Sequence, residues 1–166
     1  MSTANALERF KEFILTVRIY VPWKHRAGKY VKAGGKFPQA SQEFLIPGNM
    51  TLDKLRDRIG CPEDFQDMNT DISENPLQPI SIRSGDVYKS AMFYIGNVFY
   101  IDTRHSDNID YSEVVKKWAV RKKINLHRTE IMEKTCVNSL VARLGYPYLY
   151  VHQGCCEHLI VITDAR

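Results

Sequence analysis

The 166-residue sequence has no run approaching the roughly 20 apolar residues that a helix needs to cross a bilayer. Its first ten residues include Glu8 and have no apolar core of the kind found in signal peptides. It also has no nucleotide-binding loop, because Gly34-Gly35 lies outside the strand–loop–helix context that such a loop requires. We therefore expect a protein that is neither secreted nor embedded in a membrane.

Cysteine is sparse, with four residues at positions 61, 136, 155 and 156. In a chain without a secretory signal we expect these to be reduced thiols, as in a cytosolic or nuclear protein. Hydrophobic residues make up 44% of the sequence. That share is enough for a packed core, so we expect one domain or two small ones that share a core.

Acidic residues are missing between Glu12 and Glu43, although the net charge of the chain is only +4. The basic residues within this gap predict contacts with nucleic-acid phosphates, because aromatic residues that can stack on bases lie among them. A second basic run follows a predicted helix start near residue 112. The candidate nucleic-acid-binding residues are Lys24, Arg26, Lys29, Lys32, Lys36, Lys116, Lys117, Arg121, Lys122 and Lys123. The alternative is a solvated, lysine-rich loop without a partner.

The first half of the chain predicts strand, loop, strand and helix. Residues 14–22 are rich in β-branched and aromatic side chains, and residues 42–46 form a second short strand that ends at Pro47-Gly48. Residues 24–37 form a glycine-containing connection, and Asn49 or Thr51 can cap a helix that ends near Gly60. This order is how a ubiquitin-like (β-grasp) fold begins, which is an analogy from element order alone. Residues 61–86 are acidic and contain three prolines, which favours a surface loop.

The second half predicts a hairpin, two helices and a final hairpin. Gly96-Asn97 separates two apolar runs, which strongly favours a tight turn. A helix is expected after Asp110 or Ser112, and a second over residues 135–144, where apolar residues recur at helical spacing. Residues 148–152 and 156–163 then pair as strands. We thus predict an α+β fold, with a ubiquitin-like region at 1–88 and a second region at 89–166.

The densest group of reactive side chains is HQGCCEH, residues 152–158. If the turn is 153–155, His152 lies opposite Cys156, and His158 lies on the same face of the strand as Cys156. Two imidazoles and a thiolate begin a tetrahedral zinc site, whose fourth ligand would be Cys136, Cys155 or a residue outside the chain. Alternatively, these side chains simply pack and form hydrogen bonds, or Cys156 is a nucleophile with a histidine base.

Three segments resemble the third subunit of the small nuclear RNA-activating protein complex: FYIGNVFYIDTR at 93–104, IDYSEVVKKW at 109–118, and LVARLGYPYLYVHQGCCEHLIVITDAR at 140–166. The resemblance implies a nuclear, non-enzymatic subunit without a small-molecule substrate. Its partners would be a Myb-repeat large subunit, a smaller helical subunit and promoter DNA carrying the proximal sequence element.

The resemblance also implies zinc. On matching positions the ligands would be His152, Cys156 and His158, whereas Cys155 occupies a variable position of the motif. Family members continue into further cysteine pairs after this hairpin. We therefore expect either that the metal shell is completed beyond Arg166 or that the zinc-binding end has been lost. The competing hypothesis is a protein–protein interaction module with a ubiquitin-like fold and no direct DNA contact.

Overall fold

The computed structural model describes residues 13–22, 40–68, 73, 76–77, 79, 82–124 and 128–166. The strands are β1 (Ile14–Tyr20), β2 (Ala40–Pro47), β3 (Ala91–Ile95), β4 (Val98–Ile101), β5 (Thr129–Ile131), β6 (Pro147–His152) and β7 (Cys156–Ala165). The α-helices are α1 (Leu52–Arg56), α2 (Ser84–Val87) and α3 (Ser112–Arg121), and single 3₁₀ turns cover Pro62–Phe65, Met132–Lys134 and Val137–Ser139. No helix in these ranges is long and apolar enough to cross a membrane.

Seven strands form one mixed sheet in the order β2-β1-β7-β6-β3-β4-β5. Neighbouring strands are antiparallel, apart from the parallel pair β4–β5. β1 lies between β2 and β7, so strands from the two ends of the chain are hydrogen-bonded to each other. The last hairpin, β6–β7, consequently occupies the middle of the sheet.

The predicted fold class is wrong. After its first hairpin a β-grasp fold requires a strand parallel to β1, but the second neighbour of β1 is β7, which is antiparallel. The C-terminal half is also not a hairpin–helix–helix–hairpin unit, because α3 is its only α-helix among the described residues. In the described part of the predicted surface loop at 61–86, Cys61 at the start is buried, and Ser84 near the end donates a hydrogen bond to the carbonyl of Glu63.

The second predicted helix, residues 135–144, is absent, and only the 3₁₀ turn Val137–Ser139 forms there. Its backbone amides bond elsewhere in the chain: Val137 donates to the carbonyl of Met50 at 2.8 Å and Asn138 donates to that of Gly48 at 2.8 Å. Val141 is also 78% exposed, so the apolar spacing does not mark a buried stripe. Tertiary hydrogen bonds have replaced the local helical ones.

The main core covers one face of the sheet, where alternate residues of each strand point inward. Val17, Phe93, Tyr150 and Ile160 belong to it, and Leu52 of α1 packs into the same cluster. A smaller cluster on the opposite face contains Met92, Phe99 and Val151. Tyr111, which directly precedes α3, packs against this smaller cluster. Helix α3 therefore lies on the opposite face of the sheet from α1.

The predicted hairpin at Gly96-Asn97 is confirmed. β3 pairs with β4 in the expected register, and both turn residues have positive φ, 56° and 66°. Glycine is required at the first position for a second reason. A Cβ atom at residue 96 would lie 1.9 Å from the carbonyl oxygen of Val141.

A charged network holds α1 against the end of β4. Arg104 donates to Asp102 at 2.7 Å and to Asp57 at 2.6 Å, and the side chain of Asp102 is fully buried. Burial opposes ionisation of Asp102, but the adjacent Arg104 guanidinium outweighs it and lowers the pKa of Asp102. The hydrogen bond from Arg104 likewise lowers the pKa of Asp57.

Candidate metal centre

The β6–β7 hairpin has the predicted turn, residues 153–155, and pairs His152 with Cys156. Gln153 and Gly154 take positive φ values of 51° and 77°, as a tight turn between twisted strands requires. Because side chains alternate along a strand, His158 lies on the same face as Cys156. All three side chains are buried on the core face of the sheet.

Cys61 brings a fourth donor to this group. It follows α1, precedes the 3₁₀ turn Pro62–Phe65, and is only 1% exposed. The ligand atoms of Cys61, His152, Cys156 and His158 all lie within 4.8 Å of one another. The thiols are not bonded to each other, since their sulfur atoms are 3.7 Å apart.

Three of the six distances between these donors match those of a tetrahedral Cys₂His₂ zinc site. With Zn–S near 2.3 Å and Zn–N near 2.05 Å, tetrahedral geometry places two sulfurs about 3.8 Å apart, two nitrogens about 3.3 Å apart, and sulfur about 3.6 Å from nitrogen. The corresponding separations are 3.7 Å for Cys61–Cys156, 3.2 Å for the two histidine Nε2 atoms, and 3.6 Å for Cys156–His158. The residues present therefore fit a zinc ion.

The outer nitrogens of both histidines have acceptors. Nδ1 of His158 lies 2.9 Å from the backbone carbonyl of Tyr20, and Nδ1 of His152 lies 3.1 Å from the carboxylate of Asp64. A carbonyl oxygen only accepts, so Nδ1 of His158 carries a hydrogen and its Nε2 is the nitrogen that faces the cluster. The Nε2 atoms of the two rings lie 3.2 Å apart and both face the cluster. Outer hydrogen-bond partners of this kind are usual for zinc-bound histidines.

The charges of the free cluster are coupled. The hydrogen bond from Cys156 lowers the pKa of Cys61 despite burial, whereas the same contact raises the pKa of Cys156. The pair therefore loses its first proton easily and holds the second. Burial lowers the pKa of His152, but its contacts with Asp64 and Cys61 outweigh burial and raise that pKa to about 9.

The surroundings fix the ligands in place. Asp64 also accepts a hydrogen bond from the side chain of Gln153 at 2.5 Å, which links the 3₁₀ turn to the hairpin loop. The ring of Tyr150 stacks on that of His152, with centroids 5.3 Å apart. Gly85 approaches Asp64 closely, because a Cβ there would lie 3.0 Å from the Asp64 Cβ. Next to the cluster a cavity of about 240 Å³ is lined by His152, Asp64 and their neighbours.

Comparison with known proteins identifies the family. The family model for the snRNA-activating protein complex (SNAPc), subunit 3, matches residues 42–166. The chain belongs to this family. The match confirms the resemblance read from residues 90–166 and extends it toward the N-terminus, so that it includes Cys61.

Subunit 3 proteins of Bos taurus, Rattus norvegicus and Mus musculus are each 38% identical to this chain in alignments 160 residues long that cover 93% of the chain. Each is called snRNA-activating protein complex subunit 3. The chain spans 36% of the length of the Bos taurus protein and 37% of the other two.

Of the four donors in this SNAPc-family chain, sequence reasoning found the three on the hairpin and missed Cys61. Cys61 is 95 positions from Cys156, so no spacing motif connects them. The fourth ligands considered instead are not in the cluster: Cys136 is half-buried and forms a β-bridge with Thr51, and Cys155 is exposed. Cys61 begins an acidic, proline-containing segment that looks like a surface loop in the sequence. Only the fold shows that Cys61 is 1% exposed and therefore differs from the other cysteines considered as the fourth ligand.

The candidate nucleic-acid-binding residues fall into two groups. Lys24, Arg26, Lys29, Lys32 and Lys36 lie outside the described residues. In the second group, the Lys116 ammonium lies 3.7 Å from Asp110, and that of Lys117 lies 3.1 Å from Glu113. The remaining three, Arg121, Lys122 and Lys123, are exposed at the end of α3.

The arrangement gives little support to the cysteine-nucleophile hypothesis. A nucleophilic thiolate must reach its substrate, but Cys61 and Cys156 are 1% and 8% exposed. The Nε2 atoms of the two histidines lie 3.2 Å apart, and that of His158 lies 3.6 Å from the sulfur of Cys156, so both face the donor cluster. Four buried donors form a closed set, which suits a structural ion.

Proposed function

We propose that this chain is a zinc-stabilised, non-enzymatic subunit of a nuclear snRNA-activating complex. The observation that carries the proposal is the buried Cys₂His₂ set within the region that matches the family. Such a set occurs in proteins that use zinc to hold a fold together, and it leaves no ligand position for a reacting water.

Zinc would be held by Cys61, His152, Cys156 and His158, and it would act as a crosslink. The ion supplies a bond between the segment after α1 and the central hairpin of the sheet. Asp64 and the carbonyl of Tyr20 orient the two imidazoles. Because four ligands, two of them thiolates, would hold the ion, its release would be coupled to local unfolding.

Within the complex the sheet would serve as a scaffold for a Myb-repeat large subunit and a smaller helical subunit. Contacts with promoter DNA would come from basic residues at the end of α3, principally Arg121, Lys122 and Lys123, together with the basic stretch at residues 24–36. Lys116 and Lys117 are already paired with acids and would contribute less. Such contacts act on phosphates and add affinity without much base specificity.

The salt dependence of DNA binding tests this role. In a complex kept assembled by an excess of the partner subunits, simultaneous replacement of Arg121, Lys122 and Lys123 by Glu should weaken promoter binding. Each lost phosphate contact reduces the slope of log K against log salt by about 0.9, so three reduce it by about 2.7. Electrophoretic mobility shifts at several salt concentrations measure the slope.

The matched control carries Glu at Lys54, Arg58 and Lys134, which are exposed basic residues on other elements. This control should retain the wild-type slope. An equal loss in both triple variants would show that only net charge matters and would refute a contact at the end of α3. Failure of the wild-type chain to assemble with the partner subunits would refute membership of the complex.

A second candidate function is a pure protein–protein interaction module without DNA contact. It is favoured by the pairing of Lys116 and Lys117 with acids, which withdraws two cations from any phosphate. In that case the triple replacement at the end of α3 would alter assembly and leave the salt slope of DNA binding unchanged.

A further inference from the structure

Helix α3 exposes apolar side chains on the side that faces away from the sheet. Its buried positions, Ser112 and Ala119, are small. On the opposite side Val114 is 73% exposed and Trp118 is 47% exposed, and Val115, 37% exposed, continues the stripe toward the sheet. Residues three and four positions apart share a helix face, so these three residues form one continuous stripe.

The rim of this stripe is positively charged. Lys117 and Arg121, one helical turn apart, lie along one side of the stripe. Lys122 and Lys123 lie at the C-terminal end of the stripe. Glu113 neutralises Lys117 at 3.1 Å. The side chains of Arg121, Lys122 and Lys123 make no ion pair within the part of the chain that the structure describes. The surface around the apolar stripe therefore has a net positive charge.

We propose that the Val114–Val115–Trp118 stripe of α3 docks an acidic amphipathic helix of another subunit in the complex. The inference rests on the proposed function and names the surface through which one partner binds. A ten-residue helix is about 15 Å long, which matches two to three turns of a partner helix. Tryptophan is common among the residues that contribute most to binding at protein interfaces. The basic rim favours a partner helix that carries acidic residues on both sides of its apolar face.

Two other occupants fit the stripe less well. DNA phosphates pair with Arg and Lys but leave valine and tryptophan side chains in contact with water. A second copy of this chain could cover the apolar side chains, but its helix carries one acid, Glu113, which already pairs with Lys117, so both basic rims would stay largely uncompensated. An acidic protein helix covers the apolar stripe and neutralises its rim together.

The helix provides a matched pair of positions for the test. Val114 and Val120 are the same residue, each is 73% exposed, and they lie about 120° apart around the helix. Substitution of either valine by Asn makes the side chain polar while keeping a similar size and adding no charge. Loss of one buried valine corresponds to about tenfold in affinity.

The experiment uses the full 166-residue chain and purified partner subunits of an snRNA-activating complex, with binding measured by titration. Val114→Asn should bind those subunits about tenfold more weakly, and Val120→Asn should stay within twofold of wild type. A Trp23→Phe background leaves Trp118 as the single tryptophan, because the chain has two. The fluorescence emission of Trp118 should shift to shorter wavelength when the partner covers this side chain.

The outcomes separate the possibilities. Equal affinities for Val114→Asn, Val120→Asn and wild type would overturn the docking surface while leaving membership of the complex intact. No binding by the wild-type chain would overturn both. A weaker complex of Val114→Asn with promoter DNA, with unchanged binding to the subunits, would assign the stripe to nucleic acid and also overturn the proposal. Matching circular dichroism melts of the two variants would show that the comparison concerns binding and not folding.

Discussion

Replacement of Cys61 by Ser is the most direct test of the metal centre, because this ligand comes from a distant segment. Zinc binding to four-ligand peptides is worth about 10–16 kcal/mol, or about 2.5–4 kcal/mol per ligand. Loss of one thiolate should therefore weaken zinc binding by roughly a hundredfold to a thousandfold. We expect about one zinc per wild-type chain by elemental analysis and much less than one after dialysis of Cys61→Ser against a moderate chelator.

The same substitution should lower thermal stability. In a chain of this length 1 kcal/mol shifts the melting temperature by about 2–4 °C, so the loss predicts a decrease of about 5–15 °C. Chelation of the wild-type protein removes all four metal bonds, so it should lower the melting temperature further than the substitution does in the presence of zinc, and the two proteins should melt at similar temperatures once both are chelated. Calorimetry with and without chelator measures both.

Cys155→Ser is the matched control, since Cys155 is adjacent to Cys156 but exposed. It should keep its zinc and its melting temperature. If Cys61→Ser retained one zinc with wild-type affinity while Cys155→Ser lost it, the ligand set would lie entirely on the hairpin, and our reading of the donor geometry would be refuted.

Three further substitutions probe the surroundings. Asp64→Asn should weaken zinc binding about 10- to 100-fold, measured by competition with a chromophoric chelator, because it removes the carboxylate that orients one imidazole. Arg104→Met should destabilise the fold by about 3 kcal/mol in urea at pH 7, since it leaves Asp102 buried without its main partner. Gly96→Ala should cost at least about 2 kcal/mol more than Gly154→Ala, because only the former meets a backbone oxygen.

The pH dependence of Arg104→Met follows from the sign of the pKa shift. Arg104 lowers the folded pKa of Asp102, so its stabilisation is present above the unfolded pKa near 4 and is lost as pH falls through the folded value. The variant and the wild type should consequently differ most at pH 7 and least near pH 2. A difference that grows on acidification would contradict this assignment.

Controls for the other two substitutions lie close by. Asp86→Asn changes a carboxylate that lines the same cavity as Asp64 without contacting a histidine, and it should not alter zinc affinity. Equal effects of the two Asp variants would assign the change to general electrostatics. Gly154 has φ 77° and open space around it, so Gly154→Ala isolates the backbone contribution alone.

Local features of the chain were predictable from sequence. Gly96-Asn97 identified its hairpin because two residues with positive φ are sufficient to define that turn. The period of two along β7 placed His158 beside Cys156 without any knowledge of the fold. Both inferences depend on neighbours within a few residues.

Non-local features were not predictable in this way. The stretch 135–144 has helical apolar spacing, but its amides bond to Met50 and Gly48, which spacing cannot reveal. The pairing of β1 with β7 joins the ends of the chain and excludes the β-grasp order. Cys61 reaches the site only because the core positions α1 beneath the central strands. Each of these contacts is decided by tertiary packing, which local patterns leave undetermined.

The separation of 95 positions between Cys61 and Cys156 also has a kinetic consequence. In a metal site built from one short loop, brief local fraying is enough to exchange the ion. Here the donors come from the middle of the sheet and from a distant segment, so all four separate only when the central hairpin and that segment come apart. Exchange of bound zinc with a labelled pool would then occur at the rate of this large-scale opening, and the ion would report on the slowest motion of the fold.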